Sequence, residues 1–364
     1  MPKKKKVTTR DIASACGLSQ TTVSMVLSGR EDIHFKEGTV EKVLETARKM
    51  GYRYKKRERK PVSPTTKTIL IMCPSLSTEY YTTLVRTITK SAKNKGLYTM
   101  TTYTMRDLST EESLLSMAAD SGFFGVIYTY APQAIAKINT LRKQIPFVLI
   151  NDYNDQLRVP LIELDSRRSG RMIGDHLLSL GHRNIAYMTT PLDPVELPRV
   201  RRLDGLKEAF RAAGLDDSLV EAVALTQEQW DYYLMGNRYY DAGYQLTMQY
   251  MKRPHKATAF VGTNDQISFG VMDALQKMGY SIPGDYSVCG FDNALASSFE
   301  GISLTTIDHS VEEKGAAAVR LLMDGHDAGS VKEDSRSAML RLEYEPVLLV
   351  RKSTGPVAPT QPPS

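Results

Sequence analysis

Cysteine is scarce. The chain has three in 364 residues, Cys16, Cys73 and Cys289, an odd number set far apart. That excludes a disulfide framework and offers no metal-ligand spacing, so the three read as reduced, buried thiols. Long apolar runs are also missing: no stretch of about 18 apolar residues occurs, which argues against a membrane span. The basic start is followed by VTTRDIASAC, too polar for the apolar segment of a signal peptide, and a cytoplasmic protein is expected. Catalytic signatures are equally thin. There is no P-loop, G-x-G-x-x-G, H-E-x-x-H, G-x-S-x-G or C-x-x-C. The six histidines, at 34, 176, 182, 255, 309 and 326, are scattered without metal spacing. No catalytic residue, metal or cofactor is therefore expected, and an enzyme is disfavoured.

What is present is uneven charge. Residues 1–60 hold 16 Lys/Arg against 7 Asp/Glu, while the other 304 hold 31 against 34, so the net +6 sits at the N-terminus. A basic module on a near-neutral body points to a polyanion partner for that module. Hydrophobic content of 41% is ordinary for a globular chain of two or three domains.

The opening stretch TTRDIASACGLSQTTVSMVLSG predicts two short helices. Thr8 or Thr9 caps the first, with Asp11 in its first turn. Gly17 permits a sharp left-handed stop, and Ser19 caps the second helix. Ile12, Ala13 and Cys16 share one inward face, and Val23, Val26 and Leu27 another. A third helix from about Thr39 to Met50 is expected to bury Val40, Val43, Leu44 and Ala47. Three short helices with a tight turn describe a helix-turn-helix module. Gln20 and Thr21 are the best-placed base readers, since Gln pairs with adenine and Thr offers a hydroxyl or a methyl contact. Thr9, Ser19, Thr22, Ser24 and Met25 complete the expected DNA-facing set. Lys3 to Lys6, Arg10 and Arg30 suit phosphates.

These residues, followed by TVEKVLETARKMGY, resemble the headpiece of the lactose-repressor/galactose-repressor (LacI/GalR) family, with D-I-A, G-L-S and T-V-S in the family's order and spacing. The resemblance implies that the helix beginning at Ser19 enters the major groove of double-stranded operator DNA. Two departures stand out. Met25 replaces the arginine many members carry after T-V-S, which implies a different base preference there. Where the family has a hinge helix with a leucine wedge, this chain reads YRYKKRERKPVSPTTKT, and Pro61 and Pro64 oppose a helix. Lys55, Lys56 and Arg57 are expected to track phosphates instead.

From Lys67 the texture becomes apolar runs alternating with helical stretches, through TILIMC, FFGVIYT, PFVLIND, NIAYMTT, ATAFVG and SVCGF. This alternation predicts an α/β body of two similar lobes, each with a twisted parallel sheet. A strand pair near 338–351 closes the pattern. The expected boundaries are a helix-turn-helix headpiece over 1–54, a basic linker over 55–66, an effector-binding and dimerisation domain over 67–352, and a disordered tail over 353–364. The resemblance extends through LGHRNIAYMTTP, RRLDGLKEAFRAAGL, the long run from ATAFVG to GFDN, and LTTIDHS. It implies a periplasmic-binding-protein-like fold with a ligand between the lobes.

A cleft at the carboxyl ends of parallel strands is the usual ligand site in such sheets. Asn151, Asn264, Asp265 and Asp292 each stand just after an apolar run. The resemblance implies effector contact for Arg202, Trp230, Asn264, Asp292 and Asn151. Tyr80 and Tyr81 are placed to close the cleft from the other lobe. Asp265 reads more readily as a helix cap, Trp230 is open to a core role, Arg202 to a surface ion pair, and His182 reads as a structural turn residue. The expected function is a homodimeric, sequence-specific DNA-binding regulator, a repressor gated by a small polar effector such as a sugar. The alternatives are a regulator whose C-terminal domain ignores ligands or answers to a protein cofactor, a solute-binding transport protein, and a nonspecific architectural DNA binder.

Overall fold

The structure is a computed structural model and describes residues 7–27, 35–36, 38–52, 67–76, 78–150, 156–192, 197–235, 238–327 and 340–357. Lys3 to Lys6, Arg30, Lys55, Lys56, Arg57, Pro61, Pro64 and Asn151 lie outside the described residues. Contacts divide the chain into two compact units, Met1–Val62 and Ser63–Ser364.

The first unit holds α1 (Thr9–Cys16), α2 (Gln20–Leu27) and α3 (Thr39–Lys49). Thr8 starts α1 with a reciprocal cap: its hydroxyl accepts from the Asp11 N–H, and the Asp11 carboxylate accepts from the Thr8 N–H at 2.8 Å. Gly17 stops α1 at φ 65°, a left-handed conformation that costs glycine nothing. The Ser19 hydroxyl then accepts from the Thr22 N–H at 3.0 Å and opens α2. Ile12, Cys16, Val23, Val26, Val43 and Ala47 meet in one core. Val40 departs from expectation, remaining 41% exposed, and Leu44 is only half-buried. Two eight-residue helices cover the middle of the longer α3, and Val40 stands in its first turn.

The second unit is two lobes. The first lobe's sheet is built from β1 (Thr68–Cys73), β2 (Tyr98–Tyr103), β3 (Gly125–Tyr128), β4 (Phe147–Ile150), β5 (Leu161–Leu164) and β11 (Arg341–Tyr344), in the order β11-β5-β4-β3-β1-β2. All its neighbours pair in parallel. Around it lie α4 (Glu79–Asn94), α5 (Leu108–Asp120), α6 (Ile135–Leu141) and α12 (Val311–Asp327). The second lobe's sheet uses β6 (Ile185–Thr189), β7 (Val220–Ala224), β8 (Ala259–Gly262), β9 (Ser287–Phe291), β10 (Thr305–Asp308) and β12 (Val347–Leu349), in the order β12-β10-β9-β8-β6-β7. Only β12 runs antiparallel to its neighbour. Its helices are α7 (Ser166–Ser179), α8 (Leu197–Ala212), α9 (Gln227–Met235), α10 (Tyr239–Tyr250) and α11 (Asp265–Lys277). Strands covered on both faces are apolar throughout, which is why TILIMC and SVCGF read as continuous runs. Cys73 and Cys289 lie buried in them, and burial pushes the Cys73 thiol up to about 11.

Two expectations change. The terminal strands do not pair with each other: β11 joins β5 in one sheet and β12 joins β10 in the other. Only Glu345 and Pro346 separate them, so the chain crosses between lobes where a hairpin was expected. It also crosses after β5 and after β10. The tail is tied down through Val357. Ser353 is buried, its carbonyl accepts from the Val288 N–H at 2.8 Å, and its hydroxyl donates to the Val288 carbonyl at 2.6 Å. The Gly355 carbonyl accepts from the Ser287 hydroxyl at 3.2 Å, and the Val357 N–H donates to the Leu180 carbonyl. Residues 358–364 lie outside the described residues.

Candidate functional site

On α2 the core takes Val23, Val26 and Leu27, and the helix turns its other faces outward. Ser19, Gln20, Thr21 and Ser24 are exposed, while Thr9, Thr22 and Met25 are half-buried. Gln20 and Thr9 come together across the turn: the Gln20 amide donates to the Thr9 hydroxyl at 3.4 Å. The Ser19 and Thr22 hydroxyls are 2.8 Å apart. The result is a compact, uncharged donor and acceptor surface at the start of a helix, the chemistry that base edges require.

The second unit encloses a cavity of about 110 Å³ between its lobes. The first lobe supplies Thr78, Tyr80, Tyr81, Arg106, Thr129 and Leu164, and the second supplies Ser166, Pro198, Arg199, Arg202, Tyr239, Thr263, Asn264, Asp292 and His309. Nearly all follow the carboxyl end of a strand or open a helix, because parallel strands followed by helices bring those points to one side of each sheet. Four expected effector residues, Tyr81, Arg202, Asn264 and Asp292, are thus brought together. The lobes also meet directly, where the Glu79 carboxylate accepts from the Leu295 N–H at 2.9 Å.

Arg202 sits at the centre of this set. It donates to the Thr263 carbonyl at 2.6 Å and to Nε2 of His309 at 3.4 Å, and its guanidinium carbon lies 4.6 Å from the Phe291 ring centre. It is held there by close packing of α8 on α7. A Cβ at Gly170 would fall 1.9 Å from the Arg202 carbonyl oxygen, and one at Gly205 would fall 1.9 Å from that of Arg167. Arg199, one turn earlier, donates to the Thr190 hydroxyl and lies 5.4 Å from the Trp230 ring centre.

Asp292 and His309 face Arg202, with the His309 Nε2 3.7 Å from the Asp292 carboxylate. Burial pushes the Asp292 carboxyl up to about 8, against the pull of Arg202. Burial, reinforced by Arg202 and Lys314, holds His309 well below the usual imidazole range. Arg202 can donate to Nε2 only if that nitrogen carries no proton, which agrees with a neutral ring. The backbone here is strained: Asp292 has φ 136° and Asn293 has φ 50°. Across the cavity Met105 and Arg106 have φ 51° and 59°. Such residues persist where the surroundings fix them. The Asn293 side chain donates to the Asp308 carboxylate at 2.8 Å and accepts from Arg351 at 2.7 Å.

Three assignments shift. Trp230 is not in the lining: it is buried in the second lobe's core, edge-on to Tyr239 at 4.9 Å. It rides on α9, an element the sequence pattern did not predict, and packs behind Arg199 and Tyr239. The cap of α11 is Asn264, whose side-chain oxygen accepts from the Ile267 N–H at 2.9 Å. Asp265 is instead fully buried, accepting from the Ala294 N–H at 2.8 Å and from the hydroxyls of Ser297 and Thr306 at 2.5 and 2.6 Å. It anchors the turn beyond Asp292. His182 is a buried joint, within 2.8 Å of the Thr258 hydroxyl and 2.9 Å of that of Ser287. Sequence reasoning missed His309, Arg199, Arg106, Thr129, Ser166 and Tyr239. The same position after a strand that selected Asp292 also marks Thr129, Ser166 and His309. Among the described residues no cluster of three His, Cys, Asp or Glu fits a metal, and no helix is long and apolar enough to cross a membrane.

Residues 174–354 match the family model of a periplasmic binding protein-like domain. The transcriptional regulator DegA of Bacillus subtilis, of the helix-turn-helix type, is 27% identical over 358 residues, covering 97% of this chain and 99% of that protein. Catabolite control protein A of Priestia megaterium is 28% identical over 321 residues, covering 87% of this chain and 91% of that protein. Among solved structures, a LacI family transcriptional regulator from Enterococcus faecium with bound ribose is 25% identical with a TM-score of 0.68, covering 80% of this chain and 99% of the other. The motifs, the three-helix first unit, the two-lobed second unit and these relatives agree: the chain is a DNA-binding transcriptional regulator of the LacI/GalR family, and not an enzyme.

Proposed function

We propose that this regulator is a cytoplasmic homodimeric repressor that reads a near-palindromic operator and is released or engaged by a small polar effector, such as a sugar, in the interlobe cavity. In this reading residues 1–54 bind DNA, 55–66 form a basic linker whose Lys55, Lys56 and Arg57 follow phosphates, and 67–352 bind effector and dimerise. Gln20 and Thr21 read bases, assisted by Thr9, Ser19, Thr22, Ser24 and Met25. Tyr81, Arg202, Asn264 and Asp292, with Asn151, contact the effector. The observation that carries the reading is the interlobe cavity itself, lined from both lobes by amides, hydroxyls and charged groups. The ribose bound to the Enterococcus faecium regulator is consistent with it. Pairing follows from size, since one eight-residue helix reads only a few base pairs and two-fold pairing doubles the site. The effector can bias the lobes only by its differential affinity for two states, typically ~1–3 kcal/mol of coupling.

Selection of bound sequences from random duplexes, repeated with a panel of sugars, tests this. A two-fold symmetric consensus that a sugar weakens or strengthens is expected. Equal retention of scrambled duplexes at every salt concentration sinks the sequence-specific reading.

A further inference from the structure

Cationic character dominates the cleft. Among the described lining residues there are three guanidinium groups, Arg106, Arg199 and Arg202, and one carboxylate, Asp292. The fully buried Lys314 stands behind this wall, its ammonium 5.7 Å from the Tyr80 ring centre. First-turn and N-cap residues of four helices also line the space: Thr78 to Tyr81 of α4, Ser166 of α7, Pro198 and Arg199 of α8, and Asn264 of α11. Each helix start adds a partial positive charge.

Arg202 decides the matter. Its partners are a carbonyl, a neutral imidazole nitrogen and an aromatic face. None carries a full negative charge, and its Nε is buried without an acceptor. That nitrogen and Nη2 form one edge of the guanidinium, the edge that grips a carboxylate or phosphate with two parallel hydrogen bonds. A neutral polyol could accept those bonds but would leave the charge uncompensated in a poorly hydrated site, which is costly.

We propose that the ligand of this cleft is an anion: a small hydroxylated molecule bearing a carboxylate or phosphate, held by the Nε edge of Arg202. The proposal rests on reading the cleft as an effector site and adds the ligand's charge. A cavity of about 110 Å³, set against the 10–15 Å³ that a single water needs, admits on the order of ten heavy atoms.

Calorimetry on the full chain with matched series tests it: glucose, glucuronate and glucose 6-phosphate, and ribose, ribonate and ribose 5-phosphate. At least one acidic member should bind 100-fold or more tightly than its neutral parent. The advantage should shrink with added salt, and Arg202→Gln should remove most of it. Arg202→Lys, which keeps the charge but not the fork, should retain part. Whether the carboxylate or the phosphate arm wins identifies the source of the charge. A neutral sugar that binds as tightly as its acids overturns the anion and leaves the effector reading standing. If no member of either series binds, the effector reading falls and takes this inference with it.

Discussion

The DNA-facing candidates of the first unit run from Ser19 to Met25 on one eight-residue helix, with Thr9 beside them. The cleft draws its lining from Thr78 to His309, across both lobes. One surface is local and exposed, and its members can be replaced without disturbing a core. The other is assembled from distant loops, is partly buried, and depends on helix packing for its shape. The contrast teaches where to look for damage. Substitutions on α2 should act on recognition alone, whereas substitutions far from the cleft should disable it.

Gly170 gives the strongest test. It lies in α7 and touches no ligand, yet its missing side chain lets α8 approach so that a Cβ would meet the Arg202 backbone. Backbone cannot rotate aside, so Gly170→Ala must push the helices apart and carry Arg199 and Arg202 with them. The loss should reach about 3 kcal/mol, the upper part of the range for overpacked cores. Thermal melting should show it, together with at least a tenfold loss of ligand affinity. Gly301→Ala is the control: its Cβ would meet nothing within 4 Å, so melting should barely move. If Gly170→Ala melts like the control, the cleft does not depend on that packing.

Gln20→Ala examines the other side of the contrast. The side chain is exposed, and its one hydrogen bond is the long contact to Thr9. Melting and ligand binding should be unchanged, while operator affinity falls by ~1–3 kcal/mol and base preference relaxes at one position. Equal weakening on every duplex would reassign Gln20 to backbone contact.

The same contrast explains how much was legible beforehand. Helix starts and stops in the first unit follow from Thr8, Gly17 and Ser19, each acting on residues three or four positions away. The strands followed from apolar runs, and their order of alternation with helices carried the two sheets. Asp292 and Asn264 were found because a position after a strand is local information. Trp230 was misplaced because its orientation depends on α9, whose short amphipathic pattern is weak and whose partners lie on α8 and α10. His309 and Arg106 escaped because nothing local marks them. Their role arises when β10 and the turn after β2 reach the same space. The hairpin reading of 338–351 failed for the same reason: a two-residue gap is compatible with a crossing, and only the lobes choose.

The smallest expected effect lies in the protonation of the cleft. Burial raises the folded-state pKa of Asp292 to about 8, opposed by Arg202, Lys314 and Arg199 and reinforced by Asp265. In the unfolded chain the same carboxyl titrates near its ordinary value of about 4. A raised folded pKa contributes stability that is fully present below the unfolded value and is lost as pH climbs through the folded one. Between about pH 4 and pH 8, therefore, this group alone makes the second unit progressively less stable. Asparagine keeps the shape and cannot ionise, so melting temperatures of Asp292→Asn should rise relative to the unsubstituted chain as pH increases across that window. His309 shifts in the opposite sense: its depressed pKa costs stability as pH falls below the ordinary imidazole value, in both proteins alike. The difference between the two melting curves thus isolates Asp292. Parallel curves would mean that the surrounding cations hold Asp292 ionised throughout, and would make it a counter-charge for Arg202 in place of a neutral hydrogen-bond donor.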